Sequence, residues 1–261
     1  LDWPADDEMS ADATFLSGRA HRTQGESTLA LEQFEQGLAT ISRLHKKASR
    51  IYFHRSQTHL LQREMDEAWQ EAKLALCHAE MVQGNVEEQR GNLDEAQNHY
   101  ERALEAATEA NNSGWIAHAY SNLGNVAGRQ QKTDLAIAHY ETTMAMYKKS
   151  GDRYNLEITR SNVAFAYIQA ALFEKAIPPA SQALTFFQRI QNPHWIALNA
   201  TNLAEAQSEI GLLAEAEGNA NLVIDQEEPF LYPYALFTMG RIRAKQDRWP
   251  DAYQFYEQSR Q

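Results

Sequence analysis

The sequence predicts an all-α chain built from about seven helix-turn-helix repeats, and three observations carry that prediction. The 261 residues include 39 Ala against 5 Val and 12 Ile. Ala is the best helix former, and the β-branched residues that favour strands are scarce. Gly and Pro number only 12 and 7, too few for long flexible linkers or low-complexity sequence. The third observation is a pair of small residues that recurs in phase. Ser121-Asn122-Leu123-Gly124, Ser161-Asn162-Val163-Ala164 and Thr201-Asn202-Leu203-Ala204 follow one another at one constant spacing, and twelve residues after their last members stand Ala136, Ala176 and Ala216. The same pairing occurs at Gly18/Ala30, Ser56/Ala68, Gly84/Ala96 and Gly240/Ala252, which makes seven units.

Taken in order, the chain opens on an acidic segment, residues 1–10, that begins with Leu1 and has no signal-peptide layout. Units are expected at about 11–47, 48–77, 78–113, 114–153, 154–193, 194–229 and 230–261. Each reads as a first helix of roughly fourteen residues (Ile116 to Gln130 is one), a turn, and a second helix with helical apolar spacing. The turns are Gln131-Lys132-Thr133, Ala171-Leu172-Phe173 and Gly211-Leu212-Leu213 in the three most regular units. The small residue and the alanine mark the crossing of the two helices, where a larger side chain would push the axes apart. Breakers separate the units at Asn111-Asn112-Ser113-Gly114, Ser150-Gly151-Asp152 and Gln191-Asn192-Pro193. Trp115, Tyr154 and Trp195 recur beside them and are expected to pack one unit on the next. The end, Tyr253 to Gln261, is helical in pattern without a Gly or Pro cap. With the non-Met start, it predicts a fragment of a larger protein.

One spacing breaks the phase. Among the seven alanines, the step from Ala68 to Ala96 is far shorter than any other. A unit that short cannot hold two full helices and two turns, so the second helix of unit two overlaps the first helix of unit three around Leu76–Met81. The expectation is that residues are missing there. The alternative is a shortened unit with a kinked junction, which requires a continuous trace from Ala75 to Gln83.

This pattern resembles the tetratricopeptide repeat family, in which a bulky apolar residue precedes Gly or Ala and a small residue follows twelve positions on. Leu123-Gly124…Ala136, Val163-Ala164…Ala176 and Met239-Gly240…Ala252 match it, and the resemblance covers about residues 11–261. The aromatic expected four positions before the Gly or Ala is Tyr120 or Tyr52 in some units, but Arg160 and Ala200 in others. Units of roughly 40 residues exceed the usual length of this repeat. They look like the lengthened repeats of Pins-type scaffolds, kinesin light chains and the sensor arms of bacterial signalling ATPases. Ser150-Gly151-Asp152-Arg153, ahead of Ser161-Asn162, is the most Pins-like piece.

Composition and motifs remove several function classes. The net charge of −11 argues against a nucleic-acid partner. No apolar run is long enough for a membrane span. The single cysteine, Cys77, forms no internal disulfide and reads as a buried, inert thiol, in keeping with a cytoplasmic setting. Phosphate-loop, dinucleotide and nucleophile-elbow patterns are absent. The nine histidines read as surface or packing residues, and His54 and His59 point about 140° apart on a helix, too far to share a metal. The expectation is therefore no catalysis and no cofactor.

The resemblance implies a right-handed superhelical solenoid whose first helices line a concave groove. Family geometry turns Asn122, Asn125, Arg129, Asn162, Phe165, Gln169, Asn202, Glu205 and Arg241 towards that groove. Asn122, Asn162 and Asn202 share one phase in three consecutive units. Asn weakens helix interiors, so its repetition suggests a use. Such amides can clamp a peptide backbone, or instead hold register between repeats. The groove positions collect Arg19, Arg22, Arg50, Arg129, Arg241 and Lys245 against Asp12, Glu88, Glu205 and Glu209, a positive balance in an acidic chain. Phe53, Phe165, Ile168, Tyr234 and Phe237 supply apolar anchors, with packing on a neighbouring repeat as the alternative for Phe165 and Ile168. The function expected is capture of a partner protein or extended peptide of acidic character. The alternatives are a sensor arm clamping an attached ATPase or protease domain, and self-assembly through the uncapped ends.

Overall fold

The computed structural model describes residues 5–40, 48–226 and 231–260, and those residues form thirteen α-helices. They divide into two compact units, Leu1–Val126 and Ala127–Gln261.

The first unit holds α1 (Ala5–Thr23), α2 (Ser27–Thr40), α3 (Ala48–Gln62), α4 (Met65–Arg90), α5 (Leu93–Glu109) and most of α6 (Ser113–Arg129). Residues 5–10, expected to lie outside the repeats, are the first turns of α1. The expected gap at Leu76–Met81 is corrected: α4 runs unbroken through 26 residues. Its sequence holds no Pro, and its one interior glycine, Gly84, is packed rather than turned. The helix stops only at Gly91, left-handed at φ 83°. Its first half pairs with α3, where Ser56 Oγ donates to the Ala68 carbonyl at 2.8 Å. Its second half pairs with α5, through Glu80 and His99 at 2.7 Å and through Tyr100 against Gly84. One helix thus serves as the second helix of one repeat and the first of the next, and seven repeats need only thirteen helices.

The second unit holds the end of α6, then α7 (Thr133–Ser150), α8 (Arg153–Gln169), α9 (Phe173–Arg189), α10 (Pro193–Glu209), α11 (Leu213–Gln226), α12 (Tyr232–Lys245) and α13 (Trp249–Gln258). Helix α9 is continuous although Pro178 and Pro179 lie inside it.

Crossing and turn chemistry repeat through both units. All seven phase alanines are buried. The small residue works with the residue sixteen positions on. A Cβ at Gly18, Gly84 or Gly240 would lie 2.5–2.6 Å from a ring carbon of Phe34, Tyr100 or Tyr256, so an aromatic fills the space a side chain would need. Where the small residue is Ala164 or Ala204, the residue sixteen on is Ala180 or Ala220. Seven residues after each small residue the backbone turns left-handed, at Gly25, Arg63, Gly91, Gln131, Ala171, Gly211 and Asp247. Each such residue lets the following N–H reach back to close the helix, as Leu172 does on the Tyr167 carbonyl at 2.8 Å. Asn112, Asp152 and Asn192, evenly spaced along the chain, cap α6, α8 and α10 through bonds from Trp115, Asn155 and Trp195 N–H groups at 3.1–3.2 Å.

Candidate partner-binding faces

The three phase asparagines lie at different depths. Asn202 on α10 is only 4% exposed, and its Nδ2 donates to the Ser161 carbonyl on α8 at 3.4 Å. Asn122 on α6 is half-buried and donates to Asn85 Oδ1 on α4 at 3.4 Å, where the Tyr100 hydroxyl also donates, at 2.7 Å. Both amides join the first helix of one repeat to that of the preceding one. Ala164, Ala197 and Ala200 share a core cluster between α8 and α10, and such short side chains let the two axes approach until position 202 faces backbone rather than solvent. Asn162 is half-buried.

Glu205 and Arg241 face each other. Arg241 Nη1 lies 3.3 Å from Glu205 Oε1, its Nη2 pairs with Glu209, and Lys245 Nζ reaches Glu209 Oε2 at 3.1 Å. Tyr234 donates to Glu205 at 2.6 Å, and burial together with that bond pushes its phenol above the ordinary range. Burial, then Arg241, lowers the Lys245 ammonium. Between α10 and α12 the two expected groove cations and the two expected groove carboxylates therefore pair with one another, and the positive surplus of the count lies on other helices.

Other candidates differ in how far they reach the surface. Phe165 is 49% exposed and Gln169 and Arg129 are exposed, while Asn125 is half-buried. Tyr234 and Phe237 on α12 are exposed as well. Ile168 is not an open anchor: it is buried with Ala176 and Ala206. Arg160, at the expected aromatic position, bonds the fully buried Glu157 at 2.5 Å, and Arg153 bonds the same carboxylate oxygen at 2.9 Å. Of the interface aromatics, Trp195 stacks on Phe187 of the preceding repeat at 5.3 Å, and Trp115 meets His78 of α4 edge-on at 5.8 Å. Tyr154 departs from expectation, packing on Phe186 and Phe187 of its own repeat, because it sits in the first turn of α8 opposite the end of α9.

The first unit carries a more exposed arrangement. Arg19 and Arg22 on α1 and Arg50 on α3 have no carboxylate partner among the described residues. Arg50 and Arg19 stand over the Phe15 ring, at 4.9 and 5.8 Å. His54 lies edge-on to Phe15 at 5.2 Å, and burial, then Arg22, Arg19 and Arg50, lower its pKa to about 4. Phe53 beside it is 53% exposed. The sequence counted these arginines as groove charge without singling them out, because charge bookkeeping does not say which cations find partners.

Cys77 is buried and its thiol is pushed up to about 12 by desolvation, as an inert thiol would be. Among the described residues no cluster of three His, Cys, Asp or Glu side chains could hold a metal, and no helix is long and apolar enough to cross a membrane.

Residues 76–149 match the family model described as tetratricopeptide repeat. A signal transduction ATPase with numerous domains from Pyrococcus horikoshii, carrying a tetratricopeptide repeat sensor, superposes with a TM-score of 0.64 at 15% identity over 97% of this chain. The fold is that of a tetratricopeptide-repeat protein. The chain spans 42% of that ATPase's length. A Rap protein crystallised with competence and sporulation factor gives a TM-score of 0.61 at 15% identity, over 97% of this chain and 75% of its own. YrrB, a tetratricopeptide-repeat protein with an unusual peptide-binding site, gives 0.52 at 17% identity, over 76% of this chain and 89% of its own. No curated protein matches the sequence.

Proposed function

We propose that this tetratricopeptide-repeat chain is a binding module that captures an acidic polypeptide segment on the exposed faces of its first helices and performs no catalysis. The observation that carries this reading is the arginine cluster of the first unit. Three guanidinium groups without a carboxylate among the described residues surround His54, two of them over the Phe15 ring, and exposed Phe53 packs edge-on against the same His54, in a chain of net charge −11. An acidic side chain would complete the charge balance, and an apolar neighbour would cover the ring. Phe165 and Gln169 on α8, and Asn125 and Arg129 on α6, are further contact residues on the same class of face. Asn122 and Asn202 hold register instead. The Rap and YrrB likenesses, proteins named for a bound factor and a peptide site, support the same class of role.

A random peptide library displayed on phage and panned on the chain tests it. The expected outcome is enrichment of sequences with two or more acidic residues beside a large apolar one. Arg19→Glu with Arg50→Glu is expected to weaken their binding at least tenfold while the melting temperature falls by no more than about 5 °C, since the variant breaks no ion pair among the described residues and loses only two cation–π contacts over Phe15. Equal binding by the variant would remove the reading.

A second reading, a sensor arm within a larger signalling protein, rests on the ATPase comparison, where the chain covers less than half of the partner. It predicts a nucleotide-binding or protease domain in the same open reading frame.

A further inference from the structure

The second unit contains a groove that the first-helix reading does not use. It runs along α8 between the second helices α7 and α9 as two adjoining hollows of about 610 and 540 Å³, which share Lys148, Leu156, Arg160 and Gln182. Its floor is apolar, with Leu156 and Val163 from α8 and Met144 from α7. Five cations line it: Lys148, Arg153, Arg160, Lys175 and Arg189. Against them stand two carboxylates. Glu157 is enclosed and holds Arg153 and Arg160 through one oxygen, and Glu141 accepts a bond from the Tyr167 hydroxyl at 2.7 Å. Lys148, Lys175 and Arg189 have no ion-pair partner among the described residues. Glu157 also fixes the two guanidinium groups in place before any ligand arrives, which lowers the cost of ordering them.

The backbone adds a second feature. Proline has no N–H, and Pro178 and Pro179 are the residues three and four positions after Lys175. The Lys175 carbonyl therefore has neither of the helical donors that ordinarily reach it. Lys175, Pro178, Pro179 and Gln182 line the groove together, so the turn that lacks these donors borders it.

We propose that this groove is a second binding site, separate from the arginine cluster of the first unit, and that it takes an extended acidic polypeptide segment. Acidic side chains pair with Lys148, Arg160 and Arg189, alternate apolar side chains lie on Leu156 and Met144, and a ligand backbone N–H meets the Lys175 carbonyl. A polypeptide suits the site better than a bare anion because the cations are spread along an apolar floor rather than converging on one point.

Amide chemical-shift mapping of the whole chain with a dodecapeptide of alternating Glu and Leu tests the site. Shifts are expected at Lys148, Arg160, Gln182 and Arg189, and Lys148→Glu with Arg189→Glu is expected to weaken them at least tenfold. Neither side chain makes an ion pair among the described residues, and an unchanged spectrum elsewhere shows that the variant folds. The proposal is overturned if the groove does not respond, if its response survives in the variant, or if orthophosphate alone reproduces it. Shifts confined to residues around Arg19, Arg50 and Phe53 would overturn this site and leave the first-unit reading standing. The reverse pattern would separate the two the other way.

Discussion

Gly84 and Gly218 are both helical glycines, yet they answer to opposite rules. A Cβ at Gly84 would sit 2.5 Å from the Tyr100 ring, whereas a Cβ at Gly218 meets nothing within 4 Å. Gly84→Ala is expected to cost about 1–3 kcal/mol through forced displacement of a buried ring. Gly218→Ala is expected to gain about 0.5–1 kcal/mol, since Ala loses less backbone freedom in a helix. Urea unfolding of the two variants checks both signs. His54 gives a prediction in pH. Unfolded, it takes its proton near 6.5; folded, only near 4, because it is buried among Arg19, Arg22 and Arg50. Between those values the unfolded chain binds more protons, so this residue's contribution to stability is lost as pH falls from about 6.5 to about 4. Thermal melts across that window are expected to fall more steeply for the native chain than for His54→Gln. Parallel slopes would show that His54 titrates normally in the fold.

Among the helices, α4 differs most from its counterparts. Because it packs on α3 with one half and on α5 with the other, a break at its centre damages two repeats. Ala75→Pro removes a helical hydrogen bond and inserts a clash, with an expected cost of about 3 kcal/mol or more. Hydrogen exchange is expected to quicken in α3 and α5 alike, and acceleration in only one of them would show that the halves are independent. Much of this architecture was legible in the sequence, since the crossing alanines and the evenly spaced caps are packing constraints written as spacing. The continuity of α4 was not, although its signal was present: a 26-residue stretch with no Pro and one glycine gives a helix no reason to stop. Nor was the depth of Asn202. Phase says which face a residue lies on, while burial depends on how closely α10 approaches α8, and that is set by alanines on both helices.

At the scale of the chain, a net charge of −11 hides two positive places. One is the cluster of Arg19, Arg22 and Arg50 in the first unit; the other is the groove along α8 in the second. A sequence count set Arg241 and Lys245 against Glu205 and Glu209 but could not see that the four side chains pair directly. It also could not see the α8 groove, because Lys148, Arg160 and Arg189 come from three helices and share no spacing. The surplus that remains is what the proposed acidic partner would meet.

The shared helix also bears on how such a chain can be inherited. Where repeats follow one another at a constant length, slippage between copies during replication can add or remove a whole repeat and leave every crossing intact. From Ala48 to Glu109 the unit of exchange differs: α4 belongs to two repeats, so an in-phase exchange between Ala68 and Ala96 would add or remove one helix and one turn rather than a helix pair.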